Sequence, residues 1–273
     1  MDHLTEEQLL LPPKEAIASL SKRQLSILNM INEQGFATID ALASRFQMTP
    51  QTIRRDINKL CNDKLVQRYH GGASKYSRTE NVDYDKRKQI LNLEKKRIAE
   101  MVAEHIPDHA SLFINIGTTT EEVSKALANH RKLRVITNNL NVAATMSGNN
   151  DCEVIIAGGI VRNKDSGITG MLTVEFVRQF RVDFGIIGVS GIDEDGTLLD
   201  YDYQEVQVAQ EIIKNSRKVF LVTDHTKFTR SAMIRLADIS TIDAVFTDTK
   251  PPKVYRDLLQ RKEVSLYVAE DHK

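Results

Sequence analysis

Side chains of the types that contact DNA are concentrated in one short stretch: Gln51, Thr52, Arg54, Arg55 and Lys59. Arg and Gln hydrogen-bond to base edges in the major groove, and Arg and Lys hold phosphates. Ile53, Ile57 and Leu60 repeat at helical spacing and predict one apolar stripe. Thr49 suits an N-cap, and Pro50 suits the first helical position. The stretch predicts a short helix with a DNA-reading face, although by itself it also suits an ordinary solvated helix.

The flanking segments favour the DNA-reading interpretation. Apolar residues at helical spacing predict a helix over 22–34 and another over 39–46, which a tight turn joins to the stretch above. Two helices joined in this way form a helix-turn-helix, whose second helix enters the major groove. The alternating segment 65–70 predicts a strand that carries Arg68 and His70. A basic strand beside a reading helix is typical of a wing, so these two residues join the candidate DNA contacts.

A different chemistry is expected at Gly117, Thr118, Thr119 and Thr120, which follow a predicted strand. Glycine lets the backbone approach an anion, threonine hydroxyls can donate, and a helix N-terminus offers free N–H groups. The turn therefore predicts a phosphate cradle, with an ordinary strand–helix turn as the alternative. It is not a P-loop, because no Gly-Lys-Ser/Thr sequence follows.

Polar residues and glycines at the ends of the other predicted strands are further candidates for an effector site: Asn138, Asn139, Gly158, Gly159, Glu205, Asp224 and Lys227. In an open α/β sheet, ligands bind beyond the carboxyl ends of the strands, so these clusters favour one shared site. Lys227 could supply a positive charge to a phosphate. Asn138, Asn139 and Glu205 are candidates for binding hydroxyl groups. Each of these residues by itself also suits a turn or a solvated surface.

Short apolar runs alternate with helical stretches from about residue 92 onwards. Strands are predicted at 111–116, 133–137, 153–157, 183–189, 218–223, 244–247 and 264–268. Helices are predicted at 92–105, 121–128, 142–146, 174–180, 205–214 and 254–260. This alternation indicates an α/β fold, a doubly wound and mostly parallel sheet with helices on both faces.

Composition places the chain among globular proteins, since 41% of its 273 residues are hydrophobic and 27% are charged. No apolar run approaches the length of a membrane span and no signal-like segment begins the chain, so a cytoplasmic location is expected. The two cysteines have neither zinc nor disulfide spacing. His105 and His109 are separated by Pro107, which breaks the helix that would pair them. We therefore predict no metal and no cofactor.

The formal net charge is zero, but the basic charge is concentrated near the N-terminus. Residues 20–78 carry ten Lys or Arg and four Asp or Glu, and the rest of the chain is acidic. A basic module joined to an acidic one is typical of a DNA reader with a small-molecule sensor. We predict a mobile extension over 1–19, a winged helix-turn-helix domain over 20–75, a linker over 76–91 and an effector-sensing α/β domain over 92–273.

Two segments resemble the DNA-binding signature of the DeoR family of bacterial transcriptional regulators: TPQTIRRDINKL at 49–60 and RYHGGA at 68–73. The resemblance extends from residue 22 to about residue 268. It implies a repressor of operator DNA that assembles as a tetramer, is released by a phosphorylated metabolite, and has an effector domain similar to ribose-5-phosphate isomerase. GFATIDALASRF, LFINIGTTTEEV, ITNNLNVA, AGGIVR, FGIIGVSGID, DYDYQEV and DHTKF resemble the branch that responds to glycerol 3-phosphate, which implies that compound as the effector.

One position departs from the pattern of the family, which usually has Asp two residues before Gly117, where this chain has Asn115. If that side chain contacts a ligand hydroxyl, the amide alters affinity or selectivity. The alternative hypothesis is a sugar-phosphate isomerase-like enzyme with a DNA-binding appendage, for which Asp200 and Glu205 offer carboxylates. The resemblance favours a sensor without turnover, so no catalytic residue is assigned.

Overall fold

The computed structural model describes residues 17, 19–34, 36–63, 65–69, 72–75, 84–228, 230 and 232–269. The chain divides into two compact units, Met1–Val82 and Asp83–Lys273. Most of the predicted extension and the first part of the predicted linker lie outside the described residues.

The described part of the first unit combines helices with a small antiparallel sheet. Its helices are α1 (Lys22–Gln34), α2 (Ile39–Phe46) and α3 (Pro50–Asn62). Its strands are β1 (Phe36–Thr38), β2 (Val66–Tyr69) and β3 (Gly72–Lys75), paired in the order β1-β3-β2. This confirms the winged helix-turn-helix. Strands β1 and β3 were not predicted, because such short strands show no clear alternation and β1 pairs with a segment distant in sequence.

Helix α3 begins as its sequence predicts, with Thr49 Oγ1 accepting a hydrogen bond from the Thr52 N–H at 3.3 Å. Ile53, Ile57 and Leu60 are fully buried and form one core with apolar residues of α1 and α2. Burial of this stripe sets the rotation of the helix about its own axis. The polar side chains of α3 therefore remain on its outer face.

The second unit contains one large sheet and smaller antiparallel pairings. Its strands are β4 (Ser111–Ile114), β5 (Leu133–Thr137), β6 (Cys152–Ile156), β7 (Ile160–Val161), β8 (Ile168–Thr169), β9 (Val182–Ile187), β10 (Gly191–Ile192), β11 (Thr197–Asp200), β12 (Ser216–Val222), β13 (Ile234–Asp238), β14 (Ala244–Thr247) and β15 (Ser265–Val268). All seven predicted strands lie in the large sheet. Short strands β7 and β8 form a hairpin, and β10, β11 and β13 form a second sheet; none of these five was predicted.

The large sheet is parallel throughout, in the order β15-β14-β12-β9-β4-β5-β6. The chain builds outwards from β4 to β6 and then restarts at β9, on the other side of β4. The order of strands therefore reverses between β4 and β9. Ligands of open α/β sheets bind beyond the carboxyl ends of the strands at such a reversal.

Helices cover both faces of this sheet. They are α4 (Tyr84–Gln89), α5 (Asn92–Glu104), α6 (Thr118–Ala126), α7 (Leu140–Met146), α8 (Met171–Val177), α9 (Tyr203–Lys214) and α10 (Lys253–Arg261). One core packs α5, α6 and α7 against the sheet, and the other packs α8, α9 and α10 against its opposite face. The doubly wound α/β prediction is confirmed.

Two helices begin three residues earlier than predicted, and both starts lie next to a glycine. Helix α6 begins at Thr118 rather than at 121, directly after Gly117, whose φ is 152°. Helix α8 begins at Met171 rather than at 174, after Gly170 with φ 107°. Apolar periodicity locates the buried face of a helix, whereas a glycine with positive φ decides where the chain enters it. Residues 84–91, predicted as linker, contain α4 and belong to the second unit.

No helix among the described residues is long and apolar enough to cross a membrane.

Candidate DNA-reading helix and effector site

Helix α3 presents three of the predicted DNA contacts on its outer face. Gln51, Arg54 and Arg55 are exposed. On the opposite face, buried Asp56 accepts hydrogen bonds from Arg23 Nε at 2.7 Å and Gln24 Nε2 at 3.0 Å. This tie joins α3 to α1 and fixes the orientation in which the exposed side chains stand. Burial of Asp56 was not predicted, because apolar spacing identified only Ile53, Ile57 and Leu60 as the inward residues of this helix.

The remaining predicted DNA contacts have other surroundings. The Thr52 hydroxyl lies 2.9 Å from Thr49 Oγ1 within the helix cap. Lys59 Nζ donates to the carbonyl of Ser19 at 3.1 Å, which braces the end of the helix. Arg68 lies in strand β2, and His70 is outside the described residues.

The N-terminus of α6 lies at the carboxyl end of β4, at the reversal of strand order. Gly117 precedes the helix and supplies no side-chain cap to its first turn. The Thr120 hydroxyl donates to the carbonyl oxygens of Asn115 at 2.7 Å and Gly117 at 2.8 Å, which holds the turn in shape. A Cβ at position 117 would lie 3.2 Å from Thr120 Oγ1. The turn therefore offers uncapped N–H groups of Thr118 and Thr119 to an anion.

Positive charge is gathered around Lys227. Burial lowers the pKa of Lys227 to about 8. The carboxylate of Asp224 acts to raise this pKa, and repulsion from Arg230, Lys95 and Arg87 offsets part of that effect. Lys95 is buried in α5, and burial likewise lowers its pKa. A cation that its neighbours repel gains more from an anion than an isolated surface lysine does. This cluster is suited to a phosphate.

Three members of this cluster were missed from sequence: Lys95, Arg87 and Arg230. Lys95 falls on the inward stripe of α5 together with Ile98 and Val102. Because lysine is rarely buried without a partner, its position on this stripe could have predicted a functional charge. Its Nζ donates to the carbonyl oxygens of Arg87 and Ile90, the latter at 2.7 Å. Arg87 lies in the predicted linker, where no periodic pattern distinguishes it from a solvated charge.

Asn115 and Asn138 follow the neighbouring strands β4 and β5, and both are buried. The Oδ1 atom of each is buried and has no hydrogen-bond partner among the described residues. Asn139 differs, because its Nδ2 donates to Glu121 at 3.1 Å and its Oδ1 accepts from the Asn141 N–H at 2.9 Å. Asn139 therefore caps α7 and holds Glu121, while its two neighbours keep hydrogen-bonding capacity for a ligand.

Glu205 is held by Arg162 rather than left open to solvent. Arg162 Nη2 donates to Glu205 Oε2 at 2.8 Å and to Asp165 Oδ2 at 2.6 Å, and Nη1 donates to Asp202 at 2.8 Å. Burial, and then the charge of Asp200, raises the pKa of Glu205 to about 7. Although burial opposes it, attraction to Glu205 and Asp165 holds the pKa of Arg162 above its usual value. The carboxylates are therefore engaged in an ion-pair network around Arg162.

Helix α4 is tied to the same region through Tyr84. Its hydroxyl donates to Glu121, with oxygen–oxygen distances of 2.6 and 2.7 Å, and accepts from Asn141 Nδ2 at 2.9 Å. Arg87 of the same helix lies 3.9 Å from Asp165. The helix that opens the second unit is thus bonded to the first turn of α6, which carries the candidate phosphate cradle.

The remaining candidate effector residues, Asp224, Gly158 and Gly159, mainly stabilise turns and helix packing. Asp224 Oδ1 accepts from the Thr226 N–H at 3.0 Å and caps the short 3₁₀ turn His225–Lys227. A Cβ at Gly159 would come within 2.2 Å of Thr173 Oγ1, so the close approach of α8 requires glycine there. The carbonyl of Gly158 accepts from the Thr173 hydroxyl at 2.9 Å.

No cluster of His, Cys, Asp and Glu able to hold a metal ion occurs within the part of the chain that the structure describes.

Comparison with protein families matches both units. Residues 23–79 match the DeoR-like helix-turn-helix domain, and residues 92–249 match the DeoR C terminal sensor domain.

Relatives match over most of their length. The glycerol-3-phosphate regulon repressor of Escherichia coli (strain K12) is 47% identical over 90% of this chain and 98% of its own. The repressor of the same name from Haemophilus influenzae is 48% identical over 89% of this chain and 94% of its own. Both are named as repressors rather than as enzymes, which argues against the isomerase alternative.

Among solved structures, ribose 5 phosphate isomerase A from Neisseria gonorrhoeae matches with a TM-score of 0.36 and 14% identity, over 49% of this chain and 52% of its own. The matching domains and the identity to full-length relatives lead to one assignment. The chain belongs to the DeoR family of transcriptional regulators, with a helix-turn-helix DNA-binding domain followed by a sensor domain.

Proposed function

We propose that this protein is a sequence-specific repressor that binds operator DNA through α3 and is released by glycerol 3-phosphate. The observation that carries the proposal is the identity, close to half of all aligned positions, to glycerol-3-phosphate regulon repressors over nearly their whole length. Two features support the proposal: the exposed polar face of α3, and the uncapped N-terminus of α6 together with the basic groups around Lys227.

The phosphate of the effector would bind where an uncapped helix N-terminus and a basic cluster are available. The N–H groups at Thr118 and Thr119 supply hydrogen bonds, and Lys227 supplies charge with Lys95 and Arg87 nearby. A phosphate monoester carries close to two negative charges at neutral pH. Its binding would offset the burial, and with it the repulsion from nearby cations, that lower the pKa of Lys227.

Operator binding would involve more than one copy of the chain. One winged helix-turn-helix contacts a single half-site, and symmetric repressors gain affinity by placing copies on repeated half-sites. We propose a homo-oligomer, a tetramer by analogy with the family. Sedimentation of the protein with and without operator DNA tests this. Full operator affinity from a protein that sediments only as a monomer would contradict it.

The effector is tested by a gel-shift assay, in which release of operator DNA is measured at increasing concentrations of glycerol 3-phosphate. Wild-type protein should release DNA with glycerol 3-phosphate and not with glycerol, because glycerol has no anion for the basic cluster. Lys227→Ala should bind operator and resist release. Lys253→Ala, at a lysine that pairs with Asp257 on the surface of α10, is the matched control and should be released as wild type is. Equal release by glycerol, or release of Lys227→Ala at the wild-type concentration, would defeat the proposal.

A further inference from the structure

Two buried amides in the second unit have unused acceptor atoms. Asn115 is 1% exposed and Asn138 is 2% exposed. The Oδ1 atom of each lacks a partner among the described residues. An unpaired buried acceptor is unfavourable, so such an atom in a native protein calls for an explanation, and a bound ligand that donates to it is one.

The topology places these amides side by side. Strands β4 and β5 are parallel neighbours with Ile114 opposite Thr137, so the next residues, Asn115 and Asn138, are also neighbours. Side chains alternate between the faces of a strand. Asn115 therefore shares a face with Phe113, and Asn138 shares the same face with Ile136, since these two belong to one core. Asn115 lies two residues before Gly117, which precedes the uncapped N-terminus of α6.

A hydrogen bond from Nδ2 fixes the orientation of the Asn138 side-chain amide. Asn138 Nδ2 donates to the carbonyl oxygen of Ile168 at 3.1 Å. Rotating the amide by half a turn would bring two oxygen atoms together at this point, so Nδ2 must stay there. Oδ1 of Asn138 consequently faces its environment as an acceptor and requires a donor. The amide of Asn115 is neutral, so it adds no negative charge beside a bound phosphate.

We propose that Asn115 and Asn138 form the subsite that binds the hydroxyl groups of the effector, and that this subsite selects a phosphorylated polyol over the corresponding phosphorylated ketone. The proposal rests on the proposed function, because the phosphate must be held at the neighbouring helix N-terminus. A hydroxyl group donates to Oδ1, whereas a ketone oxygen has no hydrogen to donate and leaves the acceptor unpaired. Sites built to hydrogen-bond a hydroxyl reject analogues that lack it.

Asn115 and Asn138 differ from the nearby polar groups because their Oδ1 atoms have no hydrogen-bond partner among the described residues. Both ends of the Asn139 amide are bonded within the protein, and Glu205 is held by Arg162. Asn139 and Glu205 therefore already hold other parts of the protein in place. Asn115 and Asn138 lose nothing at Oδ1 when a ligand donates to it, so they discriminate by hydrogen-bond type.

The test is calorimetric titration of the full-length protein with glycerol 3-phosphate, dihydroxyacetone phosphate and inorganic phosphate. Wild-type protein should bind glycerol 3-phosphate about 5–150-fold more tightly than dihydroxyacetone phosphate, the factor expected for one unpaired buried acceptor. Asn115→Leu and Asn138→Leu should reduce this preference and leave the affinity for inorganic phosphate unchanged. Asn150→Leu, at an exposed asparagine, is the control.

The outcomes separate this proposal from the function on which it rests. Asn115 Oδ1 accepts no hydrogen bond among the described residues, so Asn115→Leu should not lower the melting temperature. Equal wild-type affinity for the two phosphorylated compounds, or full preference in both variants, overturns the subsite while glycerol 3-phosphate still releases operator. Absence of any binding by glycerol 3-phosphate defeats the proposed function itself. If a variant fails to fold, the wild-type comparison alone decides the question.

Discussion

Lys227 shows how neighbouring residues prepare one side chain for an anion. Burial and nearby cations lower its pKa to about 8. It remains largely protonated at neutral pH, yet in an environment that disfavours its charge. A phosphate compensates this environment and raises the pKa again, so effector binding and protonation of Lys227 are linked.

Effector affinity should therefore fall as the pH rises through about 8. Above that value the free protein must take up a proton to bind, which weakens affinity by up to about tenfold per pH unit. The phosphate stays doubly charged over this range, since its second pKa is about 6. Titration calorimetry at a series of pH values measures the effect. Lys227→Arg, which keeps its charge, should remove the dependence; a flat wild-type profile would contradict the assignment.

The stability of the effector-free protein should change in the opposite direction. Because the folded-state pKa of Lys227 is about 8 and its usual value is 10.5, the folded protein binds fewer protons than the unfolded chain between these values. The contribution of Lys227 to the free energy of unfolding therefore rises with pH in that window. Lys227→Met removes this contribution, and denaturant unfolding at several pH values would show the difference.

Arg54 and Arg55 are adjacent on α3 and point in different directions around it. We expect one to contact mainly a base and the other mainly a phosphate. Loss of the base contact should weaken specific binding by about 1–3 kcal/mol and relax sequence preference, whereas loss of the phosphate contact should weaken binding to all DNA alike. Alanine variants titrated on operator and random duplexes distinguish these results. Near-normal operator binding by both variants would reject α3 as the reading helix.

At the scale of elements, a half-buried ion pair positions α3 and one glycine positions α6. Asp56 ties the reading helix to Arg23 and Gln24 of α1. Gly117, with φ 152°, turns the chain from β4 into α6 and keeps the first turn uncapped. In both cases one residue decides where the functional groups stand, Asp56 through its hydrogen bonds and Gly117 through its backbone conformation.

Asp56→Ala should lower the stability of the first unit by about 1–2 kcal/mol, because Arg23 and Gln24 lose their acceptor. The effect should lie towards the low end, since Arg23 is about one-third exposed and water can replace its partner. Thermal denaturation measures the change. Arg54→Ala, exposed on the same helix, should melt as the wild type does. A wild-type melting temperature for Asp56→Ala would show that the tie does not stabilise α3.

Gly117→Ala should weaken effector binding more than operator binding. A Cβ there lies 3.2 Å from Thr120 Oγ1 at a φ that disfavours side chains, so the turn must shift. Gly158→Ala is the matched control, because nothing lies within 4 Å of the added Cβ. Calorimetric affinities for glycerol 3-phosphate should separate the two variants. Equal affinities would mean that the shape of this turn does not matter.

At the scale of the whole molecule, the question is how effector binding reaches the DNA-binding unit. Helix α4 is the first described element after residues 76–83, and Tyr84 bonds it to Glu121 in the first turn of α6. A ligand weakens operator binding only if it prefers the conformation that fits the operator poorly. A typical coupling of about 1–3 kcal/mol changes affinity about 5–150-fold.

Tyr84→Phe should reduce this coupling while keeping most of the effector affinity, because it removes only the hydroxyl that reaches Glu121. Coupling is measured as the ratio of effector affinities with and without saturating operator. Tyr203→Phe, at an exposed tyrosine of α9, is the control. A wild-type ratio in Tyr84→Phe would place the transmission elsewhere.

The sequence by itself determined the type of each major element and much of its extent. Apolar spacing located the buried stripe of α3 and the seven strands of the large sheet, because local periodicity reflects which face is buried. The motifs indicated the family. Predicted residues at the α6 turn and at Lys227 belong to the site proposed here, and their roles as effector contacts remain predictions.

Only the tertiary structure decided which polar groups are engaged and which are free. Asn138 and Asn139 are adjacent and chemically identical, yet one retains an unpaired oxygen and the other is bonded at both ends. Lys95 and Arg87 join Lys227 from segments distant in sequence. Hydrogen-bond partners and the repulsion between buried charges depend on distances between elements that local sequence does not encode, so these properties appear only once the sheet is assembled.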